Sequence, residues 1–185
     1  TTVTITEETS PYSKYIAQVF DFLPAVGQHT NKFPVYNEGD TQSSMINKVS
    51  AILVDDQTST NTISLGGFGG YVVFGFDHTI YNKPNSRDFK VLGNAGAGNS
   101  EPGIIMVAYD KNKNGKPDDD EWYEIAGSEY NNPNTIKNYS ITYYKPDENK
   151  TPVVGPEFWQ ADIEYIKWED NQGITGYKTK NTFST

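Results

Sequence analysis

From Thr62 onward, apolar side chains return at every second residue, and glycine, proline and asparagine cut the runs to a few residues each. A side-chain period of two belongs to a strand with one covered face, and the breakers limit how long each strand can grow. "YVVFGFD" places Val72, Phe74 and Phe76 on one side. "NYSITYYK" sets Tyr139, Ile141 and Tyr143 against Ser140, Thr142 and Tyr144, and "IEYIKWED" is amphipathic in the same way. "DFKVLGN" and "EWYEIAG" read as further short strands, whereas "GIIMVAYD" (Gly103 to Asp110) is apolar on both faces and reads as a central strand. Strands at this spacing predict a mainly β chain, an antiparallel β-sandwich of jelly-roll type.

The first third is less regular. "TVTIT" alternates as a strand does. "SKYIAQVFDFLP" is ambiguous: Tyr15, Val19 and Phe22 keep a helical period, while Val19 to Phe22 also fits a strand. "DTQSSMINKVSAIL" predicts a helix capped by Asp40 or Ser43, with Met45, Val49, Ile52 and Leu53 as its apolar stripe. One or two short helices near the N-terminus thus precede the strands. Residues 1–185 read as one β-sandwich domain, with 1–60 as an N-terminal extension if the helix stands apart. The tail "NQGITGYKTKNTFST" offers little to fill a core, so further strands are expected beyond it, and the abrupt start at Thr1 reads as a mature or trimmed product.

Composition narrows the chemistry. Thirteen Tyr, nine Phe and three Trp suit short strands, and the absence of cysteine removes thiol catalysis, thiolate metal sites and disulfides. Two histidines, His29 and His78, leave no multi-histidine zinc or iron site. The net charge of -9 argues against a nucleic-acid partner, because a polyanion ligand needs a basic patch. No run is long enough to be a transmembrane segment.

The acidic stretch "DKNKNGKPDDDE" carries the most specific pattern. Asp110, Asn112 and Asn114 hold positions 1, 3 and 5 of a twelve-residue window, with Gly115 at 6 and Glu121 at 12. Lys116 offers its backbone carbonyl at 7, and Asp118 stands at 9. A hard cation takes six to eight oxygens, and alternate residues of a tight loop can aim theirs inward. The spacing therefore predicts a Ca²⁺ loop. Its flanks are strand-like, which removes a sensor role that needs a helix pair to open, and no neighbouring base points to catalysis. A structural pin remains, against the plain alternative of a solvated, metal-free hairpin tip.

Other motifs read as structural. "GGFGG" lacks a phosphate-loop pattern and reads as a bend without side chains feeding a core strand. Asp77 and His78 are neighbours in a strand-like run, so their side chains are expected on opposite faces, as a structural pair and not a catalytic dyad. No Ser/His/Asp set emerges, and the chain reads as non-enzymatic. Most aromatics belong to a core, but Trp159 in the loop "TPVVGPEFWQ", with Tyr144, offers a stacking platform for a sugar or other flat ligand.

With "ISLGGFGGYVVFGFDHTI", "DFKVLGNA", "SEPGIIMVAYDKNKNGKPDDDEWYEIAGSEY" and "IKNYSITYYKPD" on the page, the chain resembles a family of Bacteroidetes cell-surface proteins, mostly uncharacterised and described as adhesion-like. The similarity runs from about Val19 to about Lys180, includes "WEDNQGITGY", and is most specific from Gly66 to Tyr130. It implies a jelly-roll-like sandwich in which the Asp/Asn loop recurs. It also implies an exported protein, often a lipid-anchored lipoprotein, on the outer-membrane surface or outside a Gram-negative cell. The expected function is a calcium-stabilised binding or adhesion domain for an extracellular glycan, protein or small nutrient. Two alternatives are an accessory protein capturing a nutrient such as cobalamin for a transporter, and an ancillary carbohydrate-binding module.

Overall fold

A computed structural model describes residues 11–58 and 60–182. They are mainly strands in small antiparallel sheets with one α-helix. Two compact units divide them: one takes the residues up to Pro84 together with those from Ser140 onward, and the other is Asn85–Tyr139. The "TVTIT" strand expectation lies outside the described residues.

The first unit begins with β1 (Gln18–Leu23), which pairs antiparallel with β2 (Tyr71–Gly75). The ambiguous segment is therefore a strand. Its helix-like period has a physical cause: the register moves from Val19↔Phe74 to Asp21↔Val73, so Phe20 is an extra residue. In a regular strand Val19 and Phe22 would face opposite ways, but a bulge between them puts both on one face. That face is the core, with Val19 5% exposed and Phe22 fully buried.

Across it lies α1 (Gln42–Leu53), whose Met45 and Val49 complete the buried cluster, with Leu53, Val72 and Phe74 packed on its border. The cap is Thr41 and not Asp40 or Ser43: the Thr41 side chain accepts from the Ser44 N–H, and Ser44 Oγ accepts from the Thr41 N–H. Asp40 instead takes the Lys48 ammonium and the Asn37 N–H, which hold its carboxyl below the usual range.

The glycine run serves the bend expected of it. Ala25 N–H donates to Leu65 O, and Gly67 N–H to Val26 O, so two backbones run against each other. A Cβ on Gly66 would stand 2.0 Å from Ala25 O, and φ there is +75°, so only glycine fits.

The same unit holds the three-stranded sheet β7 (Ile141–Tyr143), β8 (Gln160–Asp170) and β9 (Thr175–Asn181), in that order. The tail that offered little to a core thus contains a paired strand. Its Thr, Lys and Gly side chains suit an edge, and Gly176 leaves room for the Trp168 ring, which a Cβ would approach to 2.7 Å.

The second unit departs most from expectation. β3 (Ala95–Gly96) and β4 (Asn99–Ser100) form a two-residue ladder, and "DFKVLGN" itself makes no strand. Phe89, Val91 and Leu92 are all more than a third exposed, so apolar content alone did not recruit a partner strand. Among the described residues, β5 (Met106–Ala108) pairs only with β6 (Trp122–Glu124). It is not a central strand: Ile104 is 71% exposed and Met106 48%. A run apolar on both faces needs two covering layers, and the described residues of this unit bury no hydrophobic side chain. Among the described residues, no helix is long and apolar enough to cross a membrane.

Candidate functional site

The acidic loop joins β5 to β6, as the strand-like flanks required. Tyr109 N–H donates to Glu121 O, and Ile125 N–H to Ile105 O, which carries the ladder to the loop's base. Lys113 (φ 61°) and Gly115 (φ 75°) are both left-handed, two residues apart. Glycine is suited to its turn, and the lysine accepts the strain of its own.

The two end residues gather the loop's amides. Asp110 Oδ1 accepts from Asn114 N–H at 3.0 Å, and Oδ2 from Gly115 N–H at 2.9 Å. Glu121 Oε1 accepts from Lys111 N–H at 2.6 Å and Asn112 N–H at 3.4 Å, and Oε2 from Asp118 N–H at 3.1 Å. Glu121 closes the loop through the 3₁₀ turn Asp119–Glu121 and is 1% exposed. It is the one buried side chain among the described residues of its unit.

Between these ends, Asn112 and Asn114 both direct Nδ2 at Asp118 Oδ2. Asn112 Oδ1 accepts from Asn114 N–H, and Asn114 Oδ1 from Lys116 N–H. No described hydrogen bond occupies the Lys116 carbonyl.

Among the described residues, no Lys or Arg nitrogen lies within salt-bridge distance of Asp110, Asp118 or Glu121. The nearby Lys111 ammonium donates to Asp120 O at 2.9 Å and sits 5.1 Å over the Tyr123 ring. The Tyr123 hydroxyl, then the Asp120 and Glu121 charges, hold Lys111 above the ordinary lysine range. All six loop residues named from spacing are thus in one hairpin, with Asp110 and Glu121 organising its backbone. Among the described residues no three Asp, Glu, His or Cys side chains gather as a metal-holding group: the three carboxylates are each held by different amides.

Trp159 and Tyr144 are not brought together. Trp159 precedes β8 and is half-buried, its carbonyl accepting from Thr182 N–H. Tyr144 N–H donates to Lys167 O, whereas Trp159 lies level with Thr182, five residues along the paired chain from the Lys167 partner Tyr177, or about 17 Å at the rise of an extended chain. The pairing that sequence reasoning missed is a row across three strands: Tyr144 (40% exposed), Lys167 and Tyr177 (48% exposed). The Lys167 ammonium lies 5.4 Å over the Tyr144 ring, and Glu169 raises the Tyr144 phenol above its usual range. Phe158, beside Trp159, is 87% exposed and is the better-presented aromatic of that loop.

Asp77 and His78 do bond, His78 Nδ1 to Asp77 Oδ1 at 2.7 Å. The opposite-faces rule fails here because β2 has already ended at Gly75. Asp77 also accepts from Ser13 N–H, the larger cause of its depressed carboxyl, and Tyr12 stacks on His78. The pair ties the chain entering β1 to the end of β2.

No protein-family model matches this chain, and no curated protein matches it.

Proposed function

We propose that the chain is a non-enzymatic, exported binding or adhesion domain whose Asp110–Glu121 loop is pinned by Ca²⁺. Its small antiparallel sheets are read as parts of a jelly-roll-like sandwich, and its place at a Gram-negative surface rests on the sequence resemblance alone. The observation that carries the metal reading is Glu121, a buried carboxylate with no cationic side chain at ion-pair distance, at the closing position of the loop. Burying a charge is costly unless something compensates it, and three backbone N–H groups do so only in part. Half-turns of the Asn112 and Asn114 amides would replace the N–H₂ groups facing Asp118 with oxygens, at the cost of the bonds those oxygens accept from the Asn114 and Lys116 N–H groups. Those two oxygens, the Lys116 carbonyl and the carboxylates of Asp110, Asp118 and Glu121 would make a hard, oxygen-only shell suited to Ca²⁺ once the carboxylates turn from their separate amides to the ion.

Calorimetry tests it. Protein stripped with chelator and returned to millimolar Ca²⁺ should melt at a higher temperature, by the mass-action stabilisation of about 2.7 kcal/mol at a hundredfold excess over Kd. Asp110→Ala should remove the response. An unchanged melting temperature in the unmodified protein sinks the metal reading.

A second reading, a carbohydrate-binding module, is favoured by the exposed Tyr144–Lys167–Tyr177 row. Aromatic faces flanked by a charged head suit sugar rings.

A further inference from the structure

Asn114–Gly115 is the one Asn-Gly pair in the chain, and it lies at the tip of the acidic loop. Four features of its surroundings matter. Both residues are exposed. No heavy atom beyond the chain neighbours lies within 4 Å of where a Cβ on Gly115 would stand, so the space beside its Cα is open to water. The Gly115 N–H points at Asp110 Oδ2, 2.9 Å away. The Asn114 Nδ2 points at Asp118 Oδ2, 2.7 Å away. One carboxylate therefore faces the proton that the amide nitrogen must lose, and another faces the nitrogen that must leave.

We propose that Asn114–Gly115 is a self-modification site, at which the loop's own carboxylates promote spontaneous cyclisation and loss of ammonia. The Gly115 nitrogen gives its proton toward Asp110 and attacks Asn114 Cγ, forming the ring C–N bond. The Cγ–Nδ2 bond then breaks, and the departing nitrogen takes up that proton to leave as ammonia. Water opens the succinimide at either carbonyl. Cleavage at Cγ leaves aspartate at position 114, and cleavage at the main-chain carbonyl leaves isoaspartate. The net change is one water in and one ammonia out, with no oxidant or cofactor.

The two products do opposite things to the loop. Aspartate adds a carboxylate at its fifth position. Isoaspartate adds a methylene to the main chain before Gly115 and moves Asp118 and Glu121 out of register with Asp110.

Peptide mass spectrometry of the whole protein, held for several days at neutral pH and body temperature in chelator, tests this without assuming any metal. The expected result is a one-dalton gain confined to the peptide carrying Asn114, with isoaspartate among the products. Asn114→Gln should abolish the gain, and Asp110→Asn should slow it severalfold while the circular-dichroism spectrum is kept. A peptide that stays unchanged, while a free peptide of the same sequence converts, overturns the proposal. An undiminished rate in Asp110→Asn overturns the part given to Asp110. Neither result bears on the calcium reading, which stands or falls by calorimetry.

Discussion

Glu121 is a buried carboxylate on which three amides converge. A carboxylate there orders the loop from within, as a leucine could not, since a leucine would leave those donors unpaired. Elsewhere a single contact sets a measurable pH response. The Tyr165 hydroxyl donates to Glu148 Oε1 at 2.6 Å, and that carboxylate, with burial, pushes the phenol from 10.0 up to about 12. The folded state therefore keeps this proton after the unfolded chain has lost it. The contribution is fully present below pH 10 and fades as the pH rises toward about 12. Spectrophotometric titration should show a phenol ionising at about 12 that is missing in Tyr165→Phe. A Tyr165→Phe curve that overlays the parent's would refute the assignment.

At the scale of elements, β1 shows how a bulge decides what a sequence pattern means. The spacing of Val19 and Phe22 is that of a helix face, and the alternation beside it is that of a strand. One extra residue, Phe20, reconciles them. Phe22 is fully buried against α1 and β2 in a cluster of four buried hydrophobics among the described residues. Phe22→Ala should cost about 3–5 kcal/mol, a large part of a small domain's stability. Urea denaturation read by far-UV circular dichroism would measure it, and a loss below about 1 kcal/mol would mean that the cluster is not the unit's core. The helix was legible, and Met45, Val49 and Leu53 of its stripe do pack at the core, but Ile46 joins them there in place of Ile52. The helix's cap was not legible, because Asp40, Thr41 and Ser43 are all good caps and only the chain's entry angle selects Thr41.

At the scale of the molecule, the second unit displays much of its apolar sequence: Ile104 at 71%, Tyr109 at 64% and Tyr123 at 53%. Exposed apolar side chains close together bind apolar probes. The native protein should therefore enhance the fluorescence of a hydrophobic dye, and Ile104→Ser should lower the signal. A dye left dark by the native protein would show that these side chains are covered in solution.

The sequence by itself determined the β-rich class, the helix, the glycine bend and the position of the acidic loop. Each rests on local physics: side-chain period, Cβ sterics, or oxygen spacing within a dozen residues. Tertiary structure alone decided the rest, because it depends on which segment lies across from which. It brought Asp77 onto His78 beyond the end of β2, made the Lys-rich tail a paired strand, and lined up Tyr144, Lys167 and Tyr177 across three strands. It also left "GIIMVAYD" with a single partner, since apolar faces record a need for cover and do not say what meets it.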